Sequence, residues 1–154
     1  MNASQPRRIL IVEARFYEDI ADNLVRGASL LLQDARVAYD RLAVPGVFEV
    51  PAAIRRAIRR GAEGRFRYDG YLALGCVIRG ETDHYDHICQ QASRALMEIT
   101  IADGSPLGFG ILTCPTYELA MERASVEKKN KGAEAARACL AMMDLDRALD
   151  GLGR

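Results

Sequence analysis

The sequence of 154 residues lacks the features of several large protein classes. It contains no tryptophan, few aromatic residues and only two histidines. Its 21 basic residues are matched by 21 acidic residues, so it lacks the positive excess of a dedicated nucleic-acid binder. No apolar run approaches the roughly 20 residues that cross a bilayer. The N-terminus has no secretory signal pattern, and we expect a cytoplasmic protein.

Cysteine is also sparse, and its spacing excludes two further classes. Cys76, Cys89, Cys114 and Cys139 are widely separated and form no CxxC pair. A disulfide scaffold or a zinc ribbon is therefore not expected. This pattern is typical of a protein in a reducing compartment.

What is present indicates one α/β domain over residues 1–154, with a flexible tail over 1–7. Short apolar runs predict strands over 8–13, 36–44, 70–75 and 107–113. Helical patterns predict helices over 20–33, 50–60, 85–102, 117–125 and 132–149. Strict alternation favours parallel βαβ units with right-handed crossovers. We predict a three-layer αβα sandwich of the flavodoxin-like type, with strand order 2-1-3-4 and the more alternating second strand at an edge.

In such folds ligands bind beyond the carboxyl ends of the strands. Polar, aromatic and glycine residues follow the predicted strands at 15–17, 45–49, 76–87 and 114–116, and Phe109 lies within the fourth strand. Because the strands are parallel, these segments should meet at one edge of the sheet. The sequence therefore predicts a polar ligand site there.

Phe16 and Glu49, which are expected at that edge, each have more than one interpretation. Phe16 suits stacking on a flat heterocycle, but it also suits a simple cap of the core. Gly46 permits close backbone approach to a ligand, and free N–H groups at the next helix start suit carbonyl oxygens. Glu49 in that first turn is equally consistent with favourable placement near the helix dipole alone.

The segment after the third strand is the most informative part of the chain. Residues 79–82 (RGET) resemble an anion cradle at a helix N-terminus, although a threonine or aspartate N-cap is the alternative. His84 is a candidate for proton transfer, whereas His87 is left without a role. The spacing of the two histidines matches no common zinc motif, and we expect no metal. Arg123 and Lys131, taken alone, indicate a solvated basic surface.

Together these segments resemble the lumazine synthase family. The resemblance covers about residues 9–149 and rests on ordered blocks at 14–16 (ARF), 44–51 (VPGVFEVP), 74–85 (LGCVIRGETDHY), 109–113 (FGILT), 122–124 (ERA) and 130–132 (NKG). The 74–85 block is the most specific of them. The resemblance implies condensation of 5-amino-6-(D-ribitylamino)uracil with 3,4-dihydroxy-2-butanone 4-phosphate to 6,7-dimethyl-8-ribityllumazine. This is the penultimate step of riboflavin synthesis, and it needs no cofactor.

The resemblance also implies roles for particular residues. Phe16 would stack on the pyrimidine ring, His84 would move protons, and Arg123 would reach the phosphate from a neighbouring subunit. The substrate-binding residues it implies are Phe16, Gly46, Val47, Phe48, Glu49, Cys76, Val77, Ile78, Gly80, Glu81, Thr82, Phe109, Arg123 and Lys131. Gly80, Glu81 and Thr82 would hold the phosphate, and Phe109 and Lys131 would come from the same neighbour as Arg123.

The sequence departs from the family pattern at three places. Tyr17 stands where the family commonly has asparagine, and Cys76 stands where threonine is common. The loop over 125–130 lacks the glycine-rich form of shell-building members, so we expect a homopentamer or a pair of pentamers. Riboflavin synthase, the downstream enzyme, is a candidate partner.

Three rival functions are weaker. A non-catalytic flavin or lumazine binder would not need His84 and Arg123, yet both are present. An unrelated flavodoxin-like phosphate-binding module would not need the VPGVFEVP block. A purely structural shell protein would be distinguished by the size of its assembly.

Overall fold

A computed structural model describes residues 5–153 of the chain. The strands are β1 (Arg8–Ala14), β2 (Ala38–Val44), β3 (Gly70–Ile78) and β4 (Leu107–Cys114). The helices are α1 (Glu18–Asp34), α2 (Val50–Ala62), α3 (His84–Asp103), α4 (Tyr117–Ala124), α5 (Lys131–Met143) and α6 (Leu145–Asp150). A 3₁₀ turn over Val47–Glu49 precedes α2.

The four strands form one parallel sheet in the order β2-β1-β3-β4. This confirms the predicted order and the edge position of β2. In register, Ile9 of β1 pairs with Tyr39 of β2 and Gly70 of β3. β4 forms the other edge of the sheet although its sequence is as apolar as a central strand, and Phe109 on it is 48% exposed.

Helices cover both faces of the sheet, as a parallel sheet requires. Alternate residues of β1 point to opposite faces because side chains in a strand have a period of two. Ile9 and Ile11 pack beneath α1, α4 and α5. Leu10 and Val12 pack against α2 and α3 on the other face. The three-layer αβα sandwich is therefore confirmed.

The structure differs from the sequence-based expectation at two elements. β3 continues three residues beyond Gly75, because Ile78 still pairs with Cys114 of β4. The single helix expected over 132–149 is two helices that meet at Asp144. Asp144 accepts a hydrogen bond from Arg7 Nη1 at 2.6 Å, so the break coincides with a contact between distant parts of the chain.

The predicted flexible tail falls partly outside the described residues, because residues 1–4 are not among them. Arg7, at the end of that segment, is anchored: its carbonyl oxygen accepts a hydrogen bond from the N–H of Ala38 at 3.0 Å. None of the helices within residues 5–153 has both the length and the apolar character of a membrane span.

Candidate functional site

A cavity of about 520 Å³ lies at the carboxyl edge of the sheet, and we call it the first cavity. Four segments form it: the turn after β1, the loop and 3₁₀ turn after β2, the end of β3 and the start of α3. Its lining residues are Phe16, Tyr17, Gly46, Val47, Phe48, Glu49, Cys76, Val77, Ile78, His84 and Ile88. Nine of these are among the residues predicted to form the site. This clustering follows from the parallel topology, which brings successive strand ends together.

Phe16 forms one wall of the first cavity. Its side chain is 73% exposed, which is unusual for a large apolar group. Its ring meets the ring of Tyr17 edge-on, with centroids 4.9 Å apart. The ring therefore does not cap the core, and it offers a flat apolar surface to a ligand.

The loop after β2 forms a second wall of the first cavity. The Glu49 carboxylate accepts a hydrogen bond from the N–H of Gly46 at 3.1 Å, which ties the start of the 3₁₀ turn to its end. Val47 is buried, whereas Phe48 is 62% exposed. The turn thus combines an anchored backbone, a carboxylate and an exposed aromatic ring.

The end of β3 forms the floor of the first cavity. A side chain at Gly75 would bring its Cβ within 2.9 Å of both Ala14 Cβ and Val47 Cγ2, so glycine allows the two walls to approach the strand. Cys76 is buried beside this point. Burial raises the pKa of its thiol to about 12, with the neighbouring Cys114 and Cys89 adding to the shift. The Cys76 thiol is therefore protonated at neutral pH.

The loop from β3 to α3 is exposed and lies beside the first cavity. Thr82 Oγ1 accepts a hydrogen bond from the N–H of His84 at 3.3 Å, which leaves its own proton available to a ligand. The guanidinium of Arg79 lies 4.4 Å from the centroid of the Tyr85 ring and 3.4 Å from Asp86. Arg79 is thus directed toward α3. Gly80, Glu81 and Thr82 are exposed and do not line the cavity.

α3 places one histidine on the first cavity. Both histidines are exposed, but only His84, which begins the helix, lines the cavity. Ile88 also lines the cavity, and it was not predicted. It lies four residues after His84 and therefore on the same face of the helix. That spacing is the signal that would have identified it.

The remaining predicted residues lie in a second cavity of about 290 Å³, which shares no lining residue with the first. Phe109, Arg123 and Lys131 line it. Arg123 Nη1 donates a hydrogen bond to the carbonyl oxygen of Leu119 at 3.2 Å, and Lys131 Nζ lies 2.8 Å from a Glu134 oxygen. Within one chain the structure therefore does not bring these three residues to His84.

Two other features bear on the chemistry of the site. All four cysteines carry free thiols. Residues 5–153 contain no group of three or more His, Cys, Asp or Glu side chains placed to bind a metal ion.

One protein family and several of its members match this chain over nearly its whole length. The family model of 6,7-dimethyl-8-ribityllumazine synthase matches residues 6–147. A protein of that name from Agrobacterium fabrum is 47% identical over 143 residues, covering 93% of this chain and 97% of the relative. One from Bartonella tribocorum is 50% identical over 137 residues, covering 89% and 88%.

A third relative, 6,7-dimethyl-8-ribityllumazine synthase 1 of Rhizobium meliloti, is 47% identical over 145 residues, covering 94% of this chain and 95% of the relative. The matched region includes all four strands and every residue that lines either cavity. The chain belongs to the 6,7-dimethyl-8-ribityllumazine synthase family.

Proposed function

We propose that this protein condenses 5-amino-6-(D-ribitylamino)uracil with 3,4-dihydroxy-2-butanone 4-phosphate and so forms 6,7-dimethyl-8-ribityllumazine in riboflavin synthesis. The proposal rests on the composition of the first cavity, together with the membership of the chain in this family. In that cavity an exposed aromatic ring, an anchored carboxylate turn and a histidine meet at one sheet edge. The reaction joins an amine to a ketone, releases phosphate and water, and closes a ring.

The walls of the first cavity are suited to the pyrimidine substrate. The free face of Phe16 stacks on the flat ring, since aromatic faces pack well in offset arrangements. Backbone groups of Val47 and of residues 76–78 bond to ring atoms, and Gly46 and Phe48 border the same substrate. The Glu49 carboxylate accepts hydrogen bonds from the ribityl hydroxyls. Cys76 contributes only its backbone, because its thiol is buried and protonated.

The exposed loop at the start of α3 is suited to the phosphate of the second substrate. The N-terminus of a helix carries free N–H groups and a partial positive charge, both of which favour an anion. Gly80 and Glu81 contribute their backbone, and Thr82 contributes its hydroxyl proton. His84, one residue further on, accepts and returns protons as the imine forms and as phosphate leaves.

The second cavity supplies its residues to the first cavity of a neighbouring subunit. Arg123 then reaches the phosphate, and Phe109 and Lys131 complete the substrate pocket. This arrangement is supported by the separation of the two cavities on one chain and by the exposure of Phe109 on an edge strand. We propose a homopentamer, in a cytoplasm whose reducing conditions suit four free thiols, with riboflavin synthase as a downstream partner.

The test is to mix purified protein with both substrates and to follow lumazine by absorbance and fluorescence. Formation well above the protein-free rate supports the proposal. No acceleration, with both substrates shown to be intact, contradicts it and favours a non-catalytic binder of lumazine or flavin. Because the chain has no tryptophan, its own emission does not obscure the product signal.

A further inference from the structure

A buried carboxylate lies near the carboxyl end of β1, three residues before Phe16 of the first cavity. Glu13 is 2% exposed and is the only charged residue that is buried within residues 5–153. It follows Ile9 and Ile11 on the same face of β1, where an apolar side chain would continue the core. Burying a carboxylate is costly unless it is paired and hydrogen-bonded. Its presence therefore needs a physical explanation.

Two arginines hold this carboxylate. Arg41 binds it through two hydrogen bonds, from Nε to Oε2 at 2.7 Å and from Nη2 to Oε1 at 2.8 Å. Arg15 Nη1 donates to Oε1 at 2.7 Å, and its Nη2 donates to Asp22 Oδ1 at 2.6 Å. Burial alone would raise the pKa of Glu13, but the hydrogen bonds and charges of Arg41 and Arg15 outweigh it and lower the pKa. The carboxylate is ionised at neutral pH.

The network joins the two chain segments that lead into the walls of the first cavity. Arg15 directly precedes Phe16, and its N–H donates to the carbonyl oxygen of Val44 at 3.1 Å. Arg41 lies on β2, three residues before Val44, and the 46–49 turn follows. Neither arginine lines the first cavity. Any effect of Glu13 on a ligand is therefore exerted through the position of these walls.

Strand pairing does not need this network, since β1 and β2 are already paired at seven positions from Arg8↔Ala38 to Ala14↔Val44. Phe16 does need an external constraint, because its side chain is mostly exposed and has few packing partners. The guanidinium of Arg15 is held between Glu13 and Asp22, and this restrains the backbone of the adjacent Phe16. The network thus constrains the Phe16 wall, to which packing contributes little.

We infer that Glu13 is a positioning residue that sets the separation of the Phe16 wall from the 46–49 wall, and thereby the affinity of the first cavity for its flat heterocyclic substrate. This inference rests on the proposed function, and it concerns the pyrimidine substrate rather than the phosphate substrate. The loop after β3, proposed to hold the phosphate, has no hydrogen bond to the network among those described.

The test compares Glu13→Gln, which keeps the shape of the side chain and removes its charge, with Asp40→Asn. Asp40 is a matched control because it also joins β1 to β2 through an ion pair, with Arg8 Nη1 at 2.9 Å. Arg8 begins β1, at the opposite end of that strand from Glu13 and Phe16, and the other partner of Asp40 is the hydroxyl of Tyr68. Glu13→Gln should raise KM for the ribitylaminouracil and Kd for the lumazine product about 10-fold, because small displacements of binding groups are costly. KM for the butanone phosphate and kcat should stay within about 2-fold of the wild type, and Asp40→Asn should change none of these constants.

Equal constants for Glu13→Gln and Asp40→Asn would overturn the inference, and so would a fall in kcat with both KM values unchanged. If Glu13→Gln does not fold, Arg41→Lys provides the same test, because it keeps a positive charge beside Glu13 but removes the pair of hydrogen bonds that Arg41 makes to it. Failure of the proposed function would appear differently, as an absence of turnover in the wild type. Lumazine binding measured by fluorescence requires no turnover and would still compare the variants.

Discussion

His84 is the only histidine on the first cavity, and histidine is the side chain best suited to proton transfer near neutral pH. Both substrates of the proposed reaction are intrinsically reactive, so holding them together supplies much of the acceleration. We therefore predict that His84→Ala lowers kcat only about 10-fold to 100-fold. Steady-state kinetics with both substrates checks this value.

His87→Ala is the matched control for this prediction. His87 lies three residues further along α3 and does not line the first cavity, so its loss should leave kcat unchanged. Complete inactivation of a folded His84→Ala protein would show that His84 does more than transfer protons. Equal losses in the two variants would show that the effect comes from α3 and not from the cavity.

Tyr68 gives a prediction for alkaline pH. Its hydroxyl donates a hydrogen bond to Asp40 Oδ2 at 2.9 Å. Burial first, and then this bond, raise the pKa of Tyr68 from 10.0 to about 12. The folded state thus favours the neutral phenol, so the resulting stability is full below pH 10 and is lost as the pH rises toward 12.

The measurement is the thermal midpoint of the wild type and of Tyr68→Phe across this pH range. The wild type should be the more stable at neutral pH, and the difference should shrink between pH 10 and pH 12. Curves that remain parallel over that range would contradict the prediction. The difference between the tyrosinate absorbance titrations of the two proteins isolates Tyr68, since the chain has no tryptophan.

The structure brings predicted site residues together where their position in a βαβ unit determines their surroundings. Phe16, Glu49 and His84 all follow strand ends, and the topology brings them to one cavity. Ile88 was missed because an isoleucine in an amphipathic helix is usually part of the core. Glu13 was missed because its role depends on Arg41, which comes near it only when β2 pairs with β1.

At the scale of elements, α5 illustrates how close packing positions Lys131, one of the predicted site residues. Gly132 sits where a Cβ would come within 2.0 Å of the carbonyl oxygen of Leu24 in α1. The backbone of α1 cannot move aside easily because it is hydrogen-bonded along the helix. The absence of a side chain at this position lets α5 begin against α1 and fixes Lys131 at the rim of the second cavity.

We predict that Gly132→Ala destabilises the protein by roughly 3 kcal/mol, the upper end of the range for overpacking, because the clash is with backbone. For a chain of this size this corresponds to a fall in the thermal midpoint of about 6 to 12 °C. Gly80→Ala is the control for stability, since no atom lies within 4 Å of the Cβ it would add. A Gly132→Ala protein as stable as Gly80→Ala would show that α1 and α5 separate at little cost.

Elements were predicted reliably where apolar periodicity was strong, and less well where distant contacts decide their ends. The residues from Gly132 to Leu149 include no interior glycine or proline, so sequence alone gives no reason to divide the helix at Asp144. The predicted order 2-1-3-4 already placed β4 at an edge of the sheet, but the sequence did not indicate that Phe109 on it is exposed. Both features depend on contacts remote in sequence.

At the scale of the whole molecule, the predicted site residues divide between two cavities, and this division follows from topology rather than from residue type. The lining residues of the first cavity come from Phe16 to Ile88, and those of the second come from Phe109 to Ala138. The predicted topology placed Phe109 at the same sheet edge as the residues of the first cavity, whereas only the family resemblance joined Arg123 and Lys131 to that site. The two cavities are separate on a single chain. In the proposed pentamer, the second cavity of each subunit lies beside the first cavity of its neighbour.

That division has a genetic consequence. If each site takes its cradle from one subunit and its arginine from the next, His84→Ala and Arg123→Ala damage opposite halves of the site. Coexpressed at equal levels, the two defective chains would assemble mixed rings in which about a quarter of the junctions carry both intact halves, as head-to-tail interfaces allow. We predict interallelic complementation, measured as turnover of the coassembled protein above that of either variant ring alone. Activity no greater than the average of the two separate rings would instead place both halves of the site within one chain.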